Sequence, residues 1–122
     1  DSNVPEAVMY NHEGYVAEAT GDNVFIVKRG VIFTPPDEAG ALGGITRSIV
    51  IKLAKKEGLQ VVEKNLTRFD LYVSDEFFLT GTAAEVIGIV EIDGRTVGDG
   101  RPGPITGLLR KKFFEYAHGK EK

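Results

Sequence analysis

The chain has no cysteine and no tryptophan, a single methionine and only two histidines in its 122 residues. Without cysteine there is no disulfide, no thiolate nucleophile and no cysteine-ligated metal. This composition is compatible with a reducing cytoplasm. His12 and His118 lie far apart in sequence and have no ligand-spaced partners, so no metal site is expected. An excess of one charge is lacking too: 15 Lys and Arg stand against 18 Asp and Glu, for a formal net charge of −3. Signs this well mixed leave no electrostatic footprint for nucleic acid. The local basic clusters, Lys55-Lys56 and Arg110-Lys111-Lys112, read as solvated helix faces or dipole partners. No apolar run approaches the ~20 residues of a membrane span. Asp1-Ser2-Asn3-Val4-Pro5 has no signal-peptide pattern.

What is present is ordinary for a globular domain: 42% hydrophobic, 27% charged, with seven Phe and four Tyr for a core. The length fits one domain spanning residues 1–122. Ala7–Tyr10, Tyr15–Ala19, Val24–Lys28 and Val31–Thr34 alternate or cluster apolar residues between tight turns, predicting four strands in an antiparallel meander. Pro35-Pro36 opens a loop that excludes helix and central strand. A helix is predicted from about Ile45 to Glu57, with Ile45, Ile49 and Leu53 on one face and Gly58 stopping it. Leu59–Lys64 reads as a strand. Thr67-Arg68-Phe69-Asp70 resembles a capping box before a short helix at 68–74. Glu76–Thr80 and Glu85–Ile92 are further strands, and Asp93-Gly94 is a strong hairpin turn. Pro104 suits the first position of a last helix. Its face carries Ile105, Leu108, Leu109, Phe113 and Tyr116, and Gly119 ends it.

Three places carry possible chemistry. Ala41-Leu42-Gly43-Gly44-Ile45-Thr46-Arg47 sets two glycines and a threonine at the mouth of a helix. The first amides there have no internal partner, and the dipole favours negative charge, which suits a phosphate. An ordinary capped helix explains the same residues. Gly81-Thr82 follows a buried strand and offers further amides and a hydroxyl, although a glycine bulge is the simpler reading. Glu18 shares a strand face with Val16. It is therefore either a buried carboxylate in need of a partner or an exposed residue of an edge strand.

Taken together, three ordered blocks carry a resemblance. They are Gly14-Tyr15-Val16-Ala17-Glu18-Ala19-Thr20-Gly21-Asp22-Asn23-Val24-Phe25, Ala41–Arg47 and Phe78-Leu79-Thr80-Gly81-Thr82-Ala83-Ala84-Glu85. They resemble the signature segments of the branched-chain amino acid aminotransferases, which are fold-type IV pyridoxal phosphate enzymes. Val90–Arg95 and Gly98–Thr106 match a later segment of that family. The resemblance implies an α/β fold: the C-terminal pseudo-barrel domain, with mixed and antiparallel strands and two main helices. It implies pyridoxal 5'-phosphate as cofactor, with Glu18 at the pyridine nitrogen and Leu42 against the ring. Gly44, Ile45, Thr46, Gly81 and Thr82 would hold the phosphate, and Thr82 and Ala83 the substrate carboxylate. The implied reaction moves an amino group between leucine, isoleucine or valine and 2-oxoglutarate. D-amino acid aminotransferases and aminodeoxychorismate lyases share much of this pattern. A non-catalytic phosphate-binding domain is the alternative from another class.

The family's cofactor-bonding lysine lies upstream of the Glu18 block, and no lysine precedes Glu18 in this chain. The expectation is therefore a C-terminal domain that lacks the N-terminal domain and its lysine and is inactive alone. Its parent would be a homo-oligomeric, cytoplasmic enzyme with no nucleic-acid or membrane partner.

Overall fold

The computed structural model describes residues 8–11, 16–18, 23–36, 44–80 and 85–119. Two hairpins open the chain: β1 (Val8–Asn11) with β2 (Val16–Glu18), and β3 (Asn23–Lys28) with β4 (Val31–Thr34). The Arg29-Gly30 turn between β3 and β4 has φ of 53° and 81°. Two consecutive positive values mark a type I′ turn, whose twist matches that of its strands. Helix α1 (Gly44–Lys56) then crosses over to β5 (Gln60–Glu63), which pairs parallel with β4. Next come α2 (Arg68–Tyr72), β6 (Glu76–Thr80), β7 (Val86–Ile92), β8 (Arg95–Thr96) and α3 (Pro104–Ala117). The fold is α/β with a mixed sheet and two main helices, as expected.

Strand order is β2-β1-β7-β6-β3-β4-β5, with β8 on β7. This corrects the four-stranded meander: β7 and β6 separate the first hairpin from the second. The reason lies in β6, all five residues of which are buried. A strand buried on both faces belongs at the centre of a sheet and needs a neighbour on each side. It takes β3 on one side and β7 on the other, both antiparallel.

The sheet separates two apolar layers. Phe25, Val27, Ile32, Phe78 and Val86 face α1 and α3, where they meet Val50, Leu53, Ala54, Leu109 and Phe113. The Phe25 and Phe78 rings stack there at 4.9 Å. Val24, Ile26, Phe77, Leu79 and Ile89 point the other way, onto Leu66, Leu71 and Val97.

Local signals set the helix ends. Gly58 has φ 81°; its amide donates to Lys55 O, and the Leu59 amide to Ala54 O. This is a Schellman ending at C′. Thr67 and Asp70 exchange both bonds of a capping box at α2. The turn at Asp93-Gly94 is again type I′, with φ of 50° and 79°. Beside it, Asp93 Oδ2 accepts from Arg68 Nη1 at 2.8 Å and from Tyr72 Oη at 2.7 Å, tying α2 to the hairpin. Tyr72, and behind it Asp93, hold the Arg68 pKa above its ordinary value.

Two helix faces differ from the pattern. In α1 the buried residues are Thr46, Arg47, Val50, Leu53 and Ala54, while Ile45 is 78% exposed. The helix is rotated so that its first turn buries Thr46 and Arg47, and the Arg47 guanidinium finds acceptors at Pro35 O and Glu63. In α3, Leu109 and Phe113 are buried with Thr106, but Tyr116 is exposed. Lys112 pairs with Glu57 just past the end of α1, at 3.5 Å. Tyr116 lies one turn beyond that point, where α1 no longer covers it.

Candidate functional site

The crossover β4–α1–β5 starts α1 at the carboxyl end of β4, the place where α/β sheets commonly bind ligands. The first turn of α1 is Gly44-Ile45-Thr46-Arg47 and carries no acidic side chain, while Lys55 and Lys56 sit in the last. The first turn thus offers positively polarised amides with no acidic side chain among them. Thr46 is buried, and Gly44 is half-buried. Ile45 turns its side chain to solvent, so only its backbone faces the helix mouth.

Arg47 anchors this turn. Its side chain is 7% exposed, and Nη2 donates to Pro35 O at 2.9 Å and to Glu63 Oε2 at 3.1 Å. One guanidinium thus clamps α1 to the end of β4 and to β5. A buried arginine is tolerable because these acceptors replace water. The Thr34 hydroxyl closes the same corner by donating to Val24 O at 2.7 Å.

The end of β6 meets this corner. β6 and β4 are both antiparallel to β3 and so run in the same direction. Their carboxyl ends, Thr80 and Thr34, therefore lie at one end of the sheet. Thr80 is flanked in the ladder by Asn23 on one side and Val86 on the other. It is fully buried, yet its Oγ1 has no hydrogen-bond partner among the described residues. Leu42, Gly81, Thr82 and Ala83 lie outside the described residues, but their attachment points are these two chain ends.

Glu18 ends β2, its backbone opposite Val8. Through the ladder it is not beside α1, for β2 stands four places from β3. Four steps in a flat sheet span about 19 Å. Only five peptide units join Glu18 to Asn23, and these reach at most about 18 Å. The registers add an offset along the strands, so a flat sheet is impossible and the sheet must curl. Curling brings the end of β2 toward the end of the sheet that holds Asn23 and Thr80.

The pattern did not single out Arg47, Glu76 or Thr80. Glu76 leads the buried strand Glu76-Phe77-Phe78-Leu79-Thr80, and its carboxylate caps α3 from 30 residues away. Oε2 accepts from the Ile105 amide at 3.2 Å, and Oε1 from the Thr106 amide at 2.7 Å and hydroxyl at 2.8 Å. The only sequence signal was a charge at the head of an apolar run.

The amino-transferase class IV family matches residues 1–92. The chain belongs to that family. Among class IV relatives, a putative branched-chain-amino-acid aminotransferase of Methanocaldococcus jannaschii is 54% identical over 110 residues, covering 90% of this chain and 38% of the relative. The branched-chain-amino-acid aminotransferase of Pseudomonas aeruginosa is 51% identical over 115 residues, covering 94% and 37%. The Escherichia coli branched-chain amino acid aminotransferase structure superposes with a TM-score of 0.77 at 45% identity, covering 96% of this chain and 40% of that one. The Thermobaculum terrenum branched-chain amino acid aminotransferase in its PLP (holo) form gives 0.78 at 44% identity, covering 95% and 38%. This class IV chain thus spans about two-fifths, or a little less, of the length of the relatives it matches.

The residues present fit a phosphate-bearing group. A first turn of α1 without acidic side chains, the buried Thr46 within it and the orphaned buried hydroxyl of Thr80 at the same end of the sheet supply donors at this corner. A dianion has only acceptors to offer, and this corner has donors to spare.

Proposed function

We propose that the full-length protein to which these residues belong is a pyridoxal 5'-phosphate-dependent aminotransferase. It moves the amino group between leucine, isoleucine or valine and 2-oxoglutarate. Residues 1–122 would form its C-terminal cofactor-binding domain, with the cofactor-bonding lysine supplied from the N-terminal side. The observation that carries this reading is about 50% identity, over nine-tenths of the chain, to relatives named for that activity. It is supported by the shared sheet end at which β4 and β6 finish, with the first turn of α1 held just past β4 by Arg47. By the same resemblance the parent is a cytoplasmic homo-oligomer.

When bound, the cofactor supplies an electron sink for the substrate's α-carbon. By the family resemblance, residues of this chain would take the following roles. The amides of Gly44, Ile45 and Thr46 and the Thr46 hydroxyl would donate to the phosphate, as would Gly81 and Thr82. Arg47 keeps those donors in place without touching the ligand. Leu42 would lie against the ring. Glu18, as a carboxylate, holds a proton at the pyridine nitrogen and so keeps the ring electron-poor. Amides at Thr82 and Ala83 take the substrate carboxylate.

The test is an assay of the full-length protein with L-leucine, L-isoleucine, L-valine and D-alanine, each with 2-oxoglutarate. Glutamate should form with the three branched-chain substrates and not with D-alanine. Glutamate from D-alanine alone would overturn the assignment.

A further inference from the structure

Among the described residues, one buried side-chain polar atom has no partner: the hydroxyl oxygen of Thr80, in a residue with no solvent-exposed surface. An unmade hydrogen bond in the interior is costly, and a native protein retains such a group where something else completes it. The pleat gives its direction. Side chains alternate along a strand, so Glu76, Phe78 and Thr80 share a face. Glu76 binds the N-terminus of α3 and Phe78 packs on the α1 and α3 layer, so Thr80 also lies on the helix-covered face.

Its position along β6 is equally defined. Thr80 pairs with Asn23, while the next residue of β3, Val24, accepts from Thr34. One residue past Thr34, Pro35 is bound by Arg47 of the first turn of α1. A continuous chain of contacts therefore links Thr80 to the open mouth of α1. Thr34 shows the contrast: the equivalent buried threonine at the end of β4 has found a backbone carbonyl, whereas Thr80 has none. The Glu76 carboxylate on the same face is already saturated by α3.

We propose that Thr80 is a phosphate-binding residue of the cofactor site, its hydroxyl donating to an oxygen of the cofactor's phosphate ester. A dianionic phosphate presents only acceptors, and Thr80 presents an unused donor. The proposal rests on the reading of this corner as a cofactor site and adds to the cup a residue on β6 that the motif resemblance does not assign.

Dissociation constants of pyridoxamine 5'-phosphate, measured by calorimetry on the full-length apo protein, test it. Thr80→Val should weaken binding roughly ten- to a hundredfold, the loss of one hydrogen bond to a charged group. Thr80→Ser should stay within about threefold of wild type. Pyridoxamine, which lacks the phosphate, should bind wild type and Thr80→Val alike. The apo Thr80→Val protein should melt no lower than wild type, since it loses only an unsatisfied hydroxyl. Equal affinity of wild type and Thr80→Val for the phosphorylated ligand would overturn the role of Thr80 while leaving the site intact. A lower apo melting temperature with unchanged affinity would assign the hydroxyl to loop packing instead. Failure of wild type to bind the ligand at all would remove the site and the proposal together.

Discussion

Replacing Glu76 with alanine removes the side chain that caps α3. The residue at the N-cap is Gly103, which makes no side-chain bond, and Pro104 occupies the first helical turn. The carboxylate satisfies two helix amides and the Thr106 hydroxyl, at 3.2, 2.7 and 2.8 Å. A hydrogen bond to a charged group contributes about 1.5–3 kcal/mol, and a lost cap typically costs ~1 kcal/mol. Burying a carboxylate costs part of that back, so the net loss for Glu76→Ala should be about 2–4 kcal/mol. Glu76→Gln should cost about half as much, because its amide nitrogen would face the Ile105 donor. The decisive partner is Gly103. Its φ is −79°, a value open to any residue, so no backbone demand explains the glycine. A Cβ there would instead collide with the Glu76 side chain. Gly103→Ala should therefore destabilise the wild-type background by about 1–3 kcal/mol, as overpacking does. In the Glu76→Ala background it should be neutral within about 0.5 kcal/mol, for the obstructing side chain is gone. Differential scanning calorimetry of the four full-length proteins measures this cycle. Additive shifts in melting temperature would refute the argument that carboxylate and glycine form one unit.

Three further outcomes bear on the site. Arg47→Met keeps the apolar stem but removes the clamp on Pro35 O and Glu63. It should weaken pyridoxamine 5'-phosphate binding about tenfold by calorimetry, in line with one lost charge-assisted contact, and unchanged binding would show that α1 holds its place without it. Thr46→Ala should raise the cofactor dissociation constant by roughly tenfold or more, with a smaller effect on turnover of the saturated enzyme. A larger loss in turnover than in affinity would count against a phosphate seat. Glu18→Ala in the full-length protein should lower transamination by at least about a hundredfold, the scale of a lost electrostatic partner in catalysis. Wild-type turnover in that variant would remove Glu18 from the ring nitrogen.

Much of the fold was legible where the signal was local. Gly58, the Thr67–Asp70 box, the Asp93-Gly94 turn and Pro104 each act within one or two turns of chain, and each does what its chemistry predicts. The start of α1 was legible for the same reason: the helix opens at Gly44, next to the Ile45 start read from its glycines and apolar spacing. The rotation of α1 was not. Ile45 looked like a core residue by spacing, yet Thr46 and Arg47 took the interior because Pro35 O and Glu63 accept the guanidinium bonds. Those acceptors lie 12 and 16 residues away and become neighbours only through the β4–β5 pairing. Thr80 was read within its motif, but its solitary hydroxyl depends on the burial that surrounding elements impose.

By itself the sequence determined the element types, the helix ends and turns and, through three ordered blocks, the family. These depend on side-chain chemistry and backbone preferences over a few residues, which any stretch of chain carries with it. Tertiary structure alone decided the strand order, the insertion of β6 and β7 between the two hairpins, the Glu76 cap on α3 and the burial of Thr80 at the end of the sheet where β4 also finishes. Each requires residues many positions apart to share one buried space. Which of them do so is settled by the joint packing of two apolar layers on a curved sheet, and that is a property of the whole chain.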